Sequence, residues 1–229
     1  DVYKRQLKVN TAYACLMHQR NIESIEEAKL YLNPAKENLK DFSLLKNSHK
    51  AADYLEHHIQ SKHRIMLYGD YDVDGTSSIA LLYQALRLVL DEDLITTYFP
   101  DRKEEGYGIS IKGIEHAIEN DISLIIAVDC GTKDFDSVQL ARDHSIHVII
   151  CDHHEVGEEI PNAIYINPKQ HDCEYPFTSL SGCGVLFGML HHWAKTYHPE
   201  LDMYQFIDYV AISITCDMVV LEEDNRVLA

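Results

Sequence analysis

The chain has 229 residues, 46% of them apolar, and its 37 acidic side chains outnumber 20 basic ones to give a formal net charge of −17. This length and apolar content suffice for one α/β core, with or without a small extra lobe. A membrane-spanning protein is excluded, because no apolar stretch approaches the roughly 20 residues that a helix needs to cross a bilayer, and no signal-peptide pattern opens the chain.

The predicted elements change character at Arg64. Before it, residues 11–31 predict two short helices, and apolar residues at helical spacing predict a third over 48–62. After it, apolar runs and helical stretches alternate, which is typical of a parallel, doubly wound sheet. The predicted strands are 65–69, 94–99, 123–128, 146–151 and 163–166, and the predicted helices are 77–90, 110–120, 134–144, 183–197 and 203–216.

These elements predict an α/β fold in which helices flank a mainly parallel, doubly wound sheet. A small helical region is predicted at residues 1–63 and the α/β domain at 64–229. The six cysteines form no CxxC pair, which argues against a zinc knuckle or a disulfide framework and favours a reducing compartment. We therefore expect a cytoplasmic protein with no membrane partner.

The charge is unevenly distributed along the chain. Residues 1–66 hold 11 of the basic and 8 of the acidic side chains, so the acidic excess lies in the α/β part. A net negative charge opposes nucleic-acid binding, since non-specific affinity comes from Lys and Arg contacts with phosphates. A multi-metal site, however, needs carboxylates whose charge bound cations offset. Because the sequence starts without Met and stops inside an element, we expect a fragment that lacks a basic partner domain.

Three carboxylates follow the first predicted strand at alternate positions, Asp70, Asp72 and Asp74, and Gly75 allows a sharp turn into the next helix. Alternate residues of an extended segment face one side, so these groups converge, and cations or protons must relieve their repulsion. A calcium loop would place a Glu six residues after the glycine, but that position is Leu81. The cluster predicts a metal site, with a solvated acidic turn as the alternative.

Two further strand ends carry groups of the same kind. Asp129 follows the third predicted strand, and Asp152, His153 and His154 follow the fourth. Open α/β sheets place ligand groups at the carboxyl ends of parallel strands, so we expect these side chains to meet the first cluster. Taken alone, Asp129 is more typical of a helix cap, the histidines of a surface pair, and Asp217, a further candidate, of a helix terminus. Together, carboxylates and imidazoles suit Mn²⁺ or Mg²⁺ better than thiolate-bound zinc.

These residues resemble, in order and rough spacing, the four motifs of the DHH phosphoesterases. The motifs are the segment 70–75 (DYDVDG), Asp129, the segment 152–154 (DHH) and Asp217. With the segment 99–108 (FPDRKEEGYG), the first motif resembles more narrowly the RecJ-like family of single-strand-specific 5′-to-3′ DNA exonucleases of DNA repair and recombination. The resemblance covers nearly the whole chain.

The resemblance implies a site that holds two divalent ions, Mn²⁺ or Mg²⁺, and hydrolyses phosphodiester bonds of single-stranded DNA. Asp129 would bridge the ions, and Asp70 would be a further ligand or an outer-shell acceptor. The implied metal ligands are Asp70, Asp72, Asp74, Asp129, His153 and Asp217. The implied catalytic residues besides Asp129 are His154, which contacts the scissile phosphate, and Asp152, which orients an imidazole.

Four residues are implied to bind substrate in addition to His154. Arg102 is a plausible phosphate clamp, with an ion pair to Asp101 or Glu104 as the alternative, and Tyr107 lies in the same loop. Ser181 and Gly182 would offer donors at a helix start, although close helix packing explains the glycine almost as well. The family also implies a single-strand-binding protein and a helicase as partners.

Three alternatives remain open at this stage. A DHH phosphodiesterase acting on short oligonucleotides or cyclic dinucleotides would share the metal chemistry. A manganese pyrophosphatase of the superfamily would carry a His where this chain has Tyr68, and a replication scaffold would have lost ligands that are all present here. RecJ-like enzymes also carry a glycine-rich second domain and an oligonucleotide-binding fold after this region. Cys183 stands where that family usually has a smaller residue.

Overall fold

The structure is a computed structural model that describes residues 9–229. Within them, one sheet has the strand order β2-β1-β3-β4-β5, and every neighbouring pair is parallel. This architecture confirms the predicted α/β fold with a doubly wound parallel sheet. The strands are β1 (Ile65–Gly69), β2 (Ile95–Tyr98), β3 (Leu124–Val128), β4 (His147–Cys151) and β5 (Ile164–Ile166).

Helices cover both faces of this sheet. The α-helices of the described residues are α1 (Thr11–Gln19), α2 (Ile25–Leu32), α3 (Ser48–Gln60), α4 (Val73–Leu86), α5 (Ile111–Glu119), α6 (Phe135–Asp143), α7 (Gly182–Tyr197), α8 (Ile207–Cys216) and α9 (Glu223–Leu228). Helices α3, α4, α7 and α8 contribute to the larger core on one face, and α5 and α6 contribute to the smaller core on the other. None of these helices is long and apolar enough to cross a membrane.

The strands are continuous apolar runs because both faces of the sheet are buried. In β3, Leu124 and Ile126 belong to the larger core, whereas Ile125 and Ala127 belong to the smaller one. All four side chains have no exposed surface. The two-residue period of a strand thus divides one sequence run between two cores, and it leaves the polar residues that follow each strand at one edge of the sheet.

Helix α4 begins at Val73, four residues before the predicted start at residue 77. The cause is the carboxylate of Asp72, which accepts a hydrogen bond from the N–H of Gly75 at 3.0 Å and so caps the helix. A Cβ atom at position 75 would lie 2.4 Å from the carbonyl oxygen of Asp70, so the turn needs a glycine. The predicted helix 203–216 likewise begins as a 3₁₀ turn, Met203–Phe206, before α8.

The first two helices form a small separate cluster around Met17, Ile22 and Ala28. Helix α2 begins with a capping box, in which the side chains of Ser24 and Glu27 each accept a hydrogen bond from backbone N–H groups of the helix start. Helix α3, by contrast, packs against α7 and belongs to the larger core. The division of the chain at residue 63 stays a prediction, and part of residues 1–63 contributes to the α/β core.

Candidate metal centre

The acidic and imidazole side chains predicted from the sequence lie together at the carboxyl edge of the sheet. They form three groups in which the potential ligand atoms lie within 4.8 Å of one another. Asp129 belongs to two of the groups and His153 to two, so the groups are contiguous. The groups are Asp70, Asp72 and Asp129; Asp129, His153 and His154; and Asp74, His153 and Asp217. Every residue predicted to bind metal is among them.

The three aspartates after β1 reach this cluster in a different way from the predicted extended segment. Asp72 caps α4, and Asp74 lies in the first turn of that helix, so the three side chains do not follow a strand's alternation. Asp70 is buried, and its Oδ1 atom has no hydrogen-bond partner among the described residues. Burial raises the pKa of Asp70, and the neighbouring charge of Asp72 raises it further. Burial of a carboxylate oxygen without a hydrogen bond is unfavourable, and a bound cation or a proton would remove that cost.

The carboxylate of Asp74 is held by the start of α7 and by α8. The backbone N–H groups of Gly182 and Cys183 donate to it at 2.7 and 2.8 Å, and the hydroxyl of Ser213 donates at 2.7 Å. The amino terminus of a helix is a common binding place for an anionic group, and here the group it contacts is the side chain of Asp74. It also fixes the side chain in one orientation toward the cluster.

Ser181 and Gly182, for which a substrate role is predicted, make their contacts within the chain, and that role stays a prediction. Ser181 has no exposed surface, and its hydroxyl accepts from the N–H of Gly184 as the cap of α7. Gly182 is buried, and its N–H is directed at Asp74. A Cβ atom on Gly182 would lie 2.9 Å from the Cβ of Asp129. Both residues are therefore buried, and Gly182 contacts the carboxylate of Asp74 from the interior of the protein and not from the solvent-exposed side of the centre.

Asp129 lies at the middle of the centre. Its backbone φ is 59°, in the left-handed region, and its N–H donates to the carbonyl oxygen of Cys151 at 3.0 Å. Only 2% of the residue is exposed. Burial, with the added charges of Asp74 and Asp72, raises the pKa of Asp129 to about 10. Without a cation, burial and the neighbouring carboxylates thus favour the protonated form of this side chain.

His153 connects Asp129 with the carboxylates of α4 and α8. Its Nε2 atom lies 3.2 Å from Oδ1 of Asp129, 3.6 Å from Oδ2 of Asp217 and 3.7 Å from Oδ2 of Asp74. Asp217 lies at the end of α8 and its side chain is 26% exposed. Burial raises the pKa of Asp217, and the charge of His153 partly offsets the effect. One imidazole nitrogen thus faces three carboxylates from three different segments.

Asp152 holds the second imidazole. Its Oδ1 atom lies 2.7 Å from Nδ1 of His154, and its Oδ2 atom accepts from the N–H of Thr132 at 3.1 Å and from the Thr132 hydroxyl. Burial alone raises the pKa of Asp152, but the hydrogen bonds from His154 and Thr132 outweigh it and lower the pKa to about 2. In turn, the bond to Asp152 raises the pKa of His154. The predicted orienting role of Asp152 corresponds to this pair.

Tyr107, on the loop between β2 and α5, contacts the centre from its solvent-exposed side. Its hydroxyl donates to the carbonyl oxygen of Asp129 at 2.8 Å and lies 3.2 Å from Nδ1 of His154. The loop is fastened by Glu105, which accepts from the Tyr98 hydroxyl at 2.9 Å, and by Asp134, which accepts from the N–H of Ile109 at 2.6 Å. Half of the Tyr107 residue is exposed, so its ring borders the open side.

Arg102 lies on the same loop and is exposed. The carbon at the centre of its guanidinium group lies 5.2 Å from the centroid of the Tyr71 ring, within the range of a cation–π contact. Among the described residues it forms no ion pair with either predicted alternative partner, since Asp101 accepts backbone hydrogen bonds and Glu104 pairs with Lys112 at 2.8 Å. Its charge therefore remains available at the rim, where it offsets a small part of the rise that burial causes in the pKa of Asp70.

Residues that orient the ligands were not predicted from the sequence. Ser213 holds Asp74, Thr132 holds Asp152, and Asn167 donates to the carbonyl oxygen of His154 at 2.9 Å. Two of them had a weak sequence signal, because Thr132 follows the turn after Asp129 and Asn167 begins an Asn-Pro pair after the DHH segment. Ser213 had none, since it lies inside an apolar helix.

Comparison with known proteins agrees with this geometry. Residues 64–214 match the family model described as the DHH family, N-terminal domain. The chain belongs to the DHH family. Within it the chain is RecJ-like, because its relatives include the single-stranded-DNA-specific exonuclease RecJ of Bacillus subtilis, 34% identical over 225 residues, and that of Haemophilus influenzae, 34% identical over 222 residues.

These relatives are longer than the chain. The match covers 98% of this chain and 28% of the Bacillus subtilis protein, and 93% of this chain and 37% of the Haemophilus influenzae protein. Among solved structures, an exonuclease RecJ bound to manganese is 28% identical with a TM-score of 0.72, covering 80% of this chain and 46% of that one. RecJ of Thermus thermophilus with Mn²⁺ has a TM-score of 0.79 at 24% identity, covers 98% of this chain and 31% of that one, and shows the same fold.

Proposed function

We propose that this chain is the catalytic part of a metal-dependent exonuclease that hydrolyses phosphodiester bonds of single-stranded DNA in the 5′-to-3′ direction, in DNA repair and recombination. The observation that carries the proposal is the convergence of carboxylates and imidazoles into three contiguous groups that share Asp129 and His153. The names of the relatives, which are RecJ single-stranded-DNA-specific exonucleases, support the substrate and the reaction. Because the chain spans a minor part of those relatives, strand binding and partners belong to the same proposal.

The residues present fit two divalent cations. The buried oxygen of Asp70 without a partner, the raised pKa of Asp129 and the oxygen-rich donor set all favour a hard cation such as Mn²⁺ or Mg²⁺. One ion would be held by Asp70, Asp72 and Asp129, and the other by Asp74, His153 and Asp217. Asp129 would lie next to both, because its Oδ1 atom is 3.2 Å from Nε2 of His153. When bound, such a pair supplies Lewis acidity toward the phosphate and neutralises the charge of the cluster.

The other residues of the centre position a substrate. His154 is 46% exposed and faces the open side, so its imidazole is available to donate a hydrogen bond to a phosphate oxygen. Asp152 holds the Nδ1 side of the ring, and Nε2, which lies 3.3 Å from the Tyr107 hydroxyl, is the nitrogen left for a substrate. Tyr107 limits the movement of His154 from above, and Arg102 offers a guanidinium that matches a phosphate with two parallel donors.

The test is a degradation assay with single-stranded DNA labelled at the 5′ or the 3′ end, with Mn²⁺ or Mg²⁺ added to metal-free protein. We expect mononucleotide release from the 5′ end, no activity with chelator and little activity on duplex DNA. A matched pair of variants, Asp129→Asn in the centre and Asp136→Asn on the exposed face of α6, separates the effect of the site from that of net charge.

Two results would contradict the proposal. Metal-independent hydrolysis would remove the basis for the two-ion centre. Faster hydrolysis of dinucleotides or cyclic dinucleotides than of single-stranded DNA would assign the chain to the short-substrate phosphodiesterases of the family. Pull-down with a single-strand-binding protein and with a helicase would test the proposed partners separately, because neither contact is needed for hydrolysis.

A further inference from the structure

A small cavity with cationic walls lies at the end of the sheet where β4 and β5 begin, opposite the edge that carries the carboxylate centre. Its volume is about 90 Å³. Its apolar walls come from Ile146, Val148, Ala163 and Ile164. Its polar side chains come from α3, α6, β4 and the segment before β5, and they are Lys50, Tyr54, Arg142, His147 and Asn162. No carboxylate is among the lining residues.

The two basic side chains of this cavity, Lys50 and Arg142, have no ion-pair partner within residues 9–229. Arg142 donates to the carbonyl oxygen of Asn162 at 3.2 Å, which fixes one of its nitrogens and leaves its other donors free. The Nζ atom of Lys50 lies 5.9 Å from the centroid of the Tyr54 ring. The chain as a whole has a net charge of −17, so a cavity lined by two basic and no acidic side chains differs in sign from the overall charge.

His147, which lines the cavity, is the first of three imidazoles within hydrogen-bond distance of one another in a row. Nε2 of the buried His58 lies 2.9 Å from Nδ1 of His147, and Nδ1 of His58 lies 3.1 Å from Nδ1 of His63. Each neutral imidazole carries one N–H, so this row of hydrogen bonds must run in one of two directions. If His63 donates to His58 and His58 to His147, the remaining nitrogen of His147, Nε2, carries a proton and becomes a donor. An anion beside His147 would select that direction.

We propose that this cavity binds a phosphate group, either as inorganic phosphate or as the terminal phosphate of a phosphomonoester. The guanidinium of Arg142 offers parallel N–H donors that match two oxygens of a phosphate, Lys50 adds a point charge, and His147 adds a neutral donor. The volume lies well below the roughly 300 Å³ at which pockets for drug-sized ligands begin. The cavity therefore has room for the phosphate group alone, and any attached group would extend into solvent.

The test reads binding at the cavity itself. The ring signals of His147, assigned by comparison with His147→Gln, are followed by NMR at constant pH during titration with inorganic phosphate, with a nucleoside 5′-monophosphate and with the nucleoside alone. A signal from this residue separates the cavity from phosphate bound at the carboxylate centre. The variants are Arg142→Gln and Lys50→Gln, and the matched control is Arg87→Gln, an exposed arginine at the end of α4 that does not line the cavity.

We expect saturable shifts with both phosphate-bearing probes and none with the nucleoside. Equal affinity for the two probes identifies the bare phosphate group as the ligand, and tighter binding of the monophosphate identifies a phosphomonoester. Arg142→Gln should weaken phosphate binding about tenfold or more, since it removes a charge-assisted, bidentate contact, and Arg87→Gln should not change it. The proposal is overturned if His147 shows no saturable shift with phosphate, or if Arg142→Gln and Lys50→Gln bind phosphate as the unmodified chain does.

Discussion

Nδ1 of His154 lies 2.7 Å from Oδ1 of Asp152, a carboxylate that is only 1% exposed and that Thr132 also holds. We therefore propose that Asp152 is a positioning residue, which fixes the ring of His154 through this contact. It is the one carboxylate of the DHH segment, and it is absent from the groups of potential metal ligands.

Asp152→Asn should lower kcat on single-stranded DNA by about 10- to 100-fold, the usual cost of removing such a partner. The amide keeps the shape but loses the charge that raises the pKa of His154, so that pKa should fall in the variant. Steady-state kinetics and NMR titration of the His154 ring measure the two effects. Unchanged kcat together with an unchanged His154 pKa would show that Asp152 has only a structural role.

Asp129→Ala should abolish hydrolysis, because this carboxylate belongs to two of the three potential ligand groups. Removal of the shared ligand should cost more than removal of Asp217, which belongs to one. Hydrolysis rates of both variants, with circular dichroism as the control for folding, make the comparison. A well-folded Asp129→Ala variant with ordinary turnover would rule out its bridging role.

The stability of the metal-free protein should depend on the protonation of Asp129. The folded-state pKa is raised to about 10 from an ordinary value of 3.8, so the folded state binds the proton more tightly than the unfolded state. The stabilisation is complete below the ordinary pKa and is lost as the pH rises toward the folded-state pKa. In chelator, Tm should therefore fall between pH 5 and pH 9, roughly 2–4 °C for each kcal/mol lost.

Asp129→Asn provides the control for this pH dependence. The amide cannot ionise, so the variant should be more stable than the unmodified chain at high pH in chelator, and its Tm should vary less with pH. Added Mn²⁺ should reverse the order, because the cation stabilises the ionised carboxylates of the unmodified chain. Parallel curves of Tm against pH for the two proteins would show that Asp129 is not the group whose ionisation lowers the stability.

Gly182→Ala should disturb the packing of Asp129 and Asp74 on the buried side of the centre. The added methyl group would lie 2.9 Å from Cβ of Asp129 and 3.1 Å from Oδ2 of Asp74. Overpacking of this kind costs about 1–3 kcal/mol, and we expect weaker Mn²⁺ binding as well. Gly157→Ala is the matched control, because its nearest neighbour would be the carbonyl oxygen of Glu159 at 3.6 Å. Equal effects of the two substitutions on Tm and on Mn²⁺ affinity would contradict the packing argument.

The sequence predicted the sheet and the ligand candidates, because strands buried on both faces are continuous apolar runs and ligand groups follow their ends. It did not predict the start of α4, since nothing local shows that an Asp of a candidate ligand cluster also caps a helix, as Asp72 does. It also missed contacts between residues distant in sequence. Ser213 lies 139 positions from Asp74, and neither the apolar period of α8 nor any local motif relates the two.

The helix start at Ser181 and Gly182 shows the same limit of local sequence. A glycine-containing helix start is typical of an anion-binding site, and here the anion that it binds is the side chain of Asp74. Whether such a helix start faces a ligand or another part of the chain depends on how two helices pack, which local sequence does not specify.

The central claim is that these side chains hold two divalent ions, and anomalous diffraction from crystals soaked in Mn²⁺ tests it most directly. We expect two peaks, roughly 3.5–4 Å apart as in two-metal sites generally, with Asp129 contacting both, Asp70 and Asp72 beside one, and Asp74, His153 and Asp217 beside the other. Absence of manganese from this edge of the sheet at saturating concentration, or a single ion that does not contact Asp129, would contradict it.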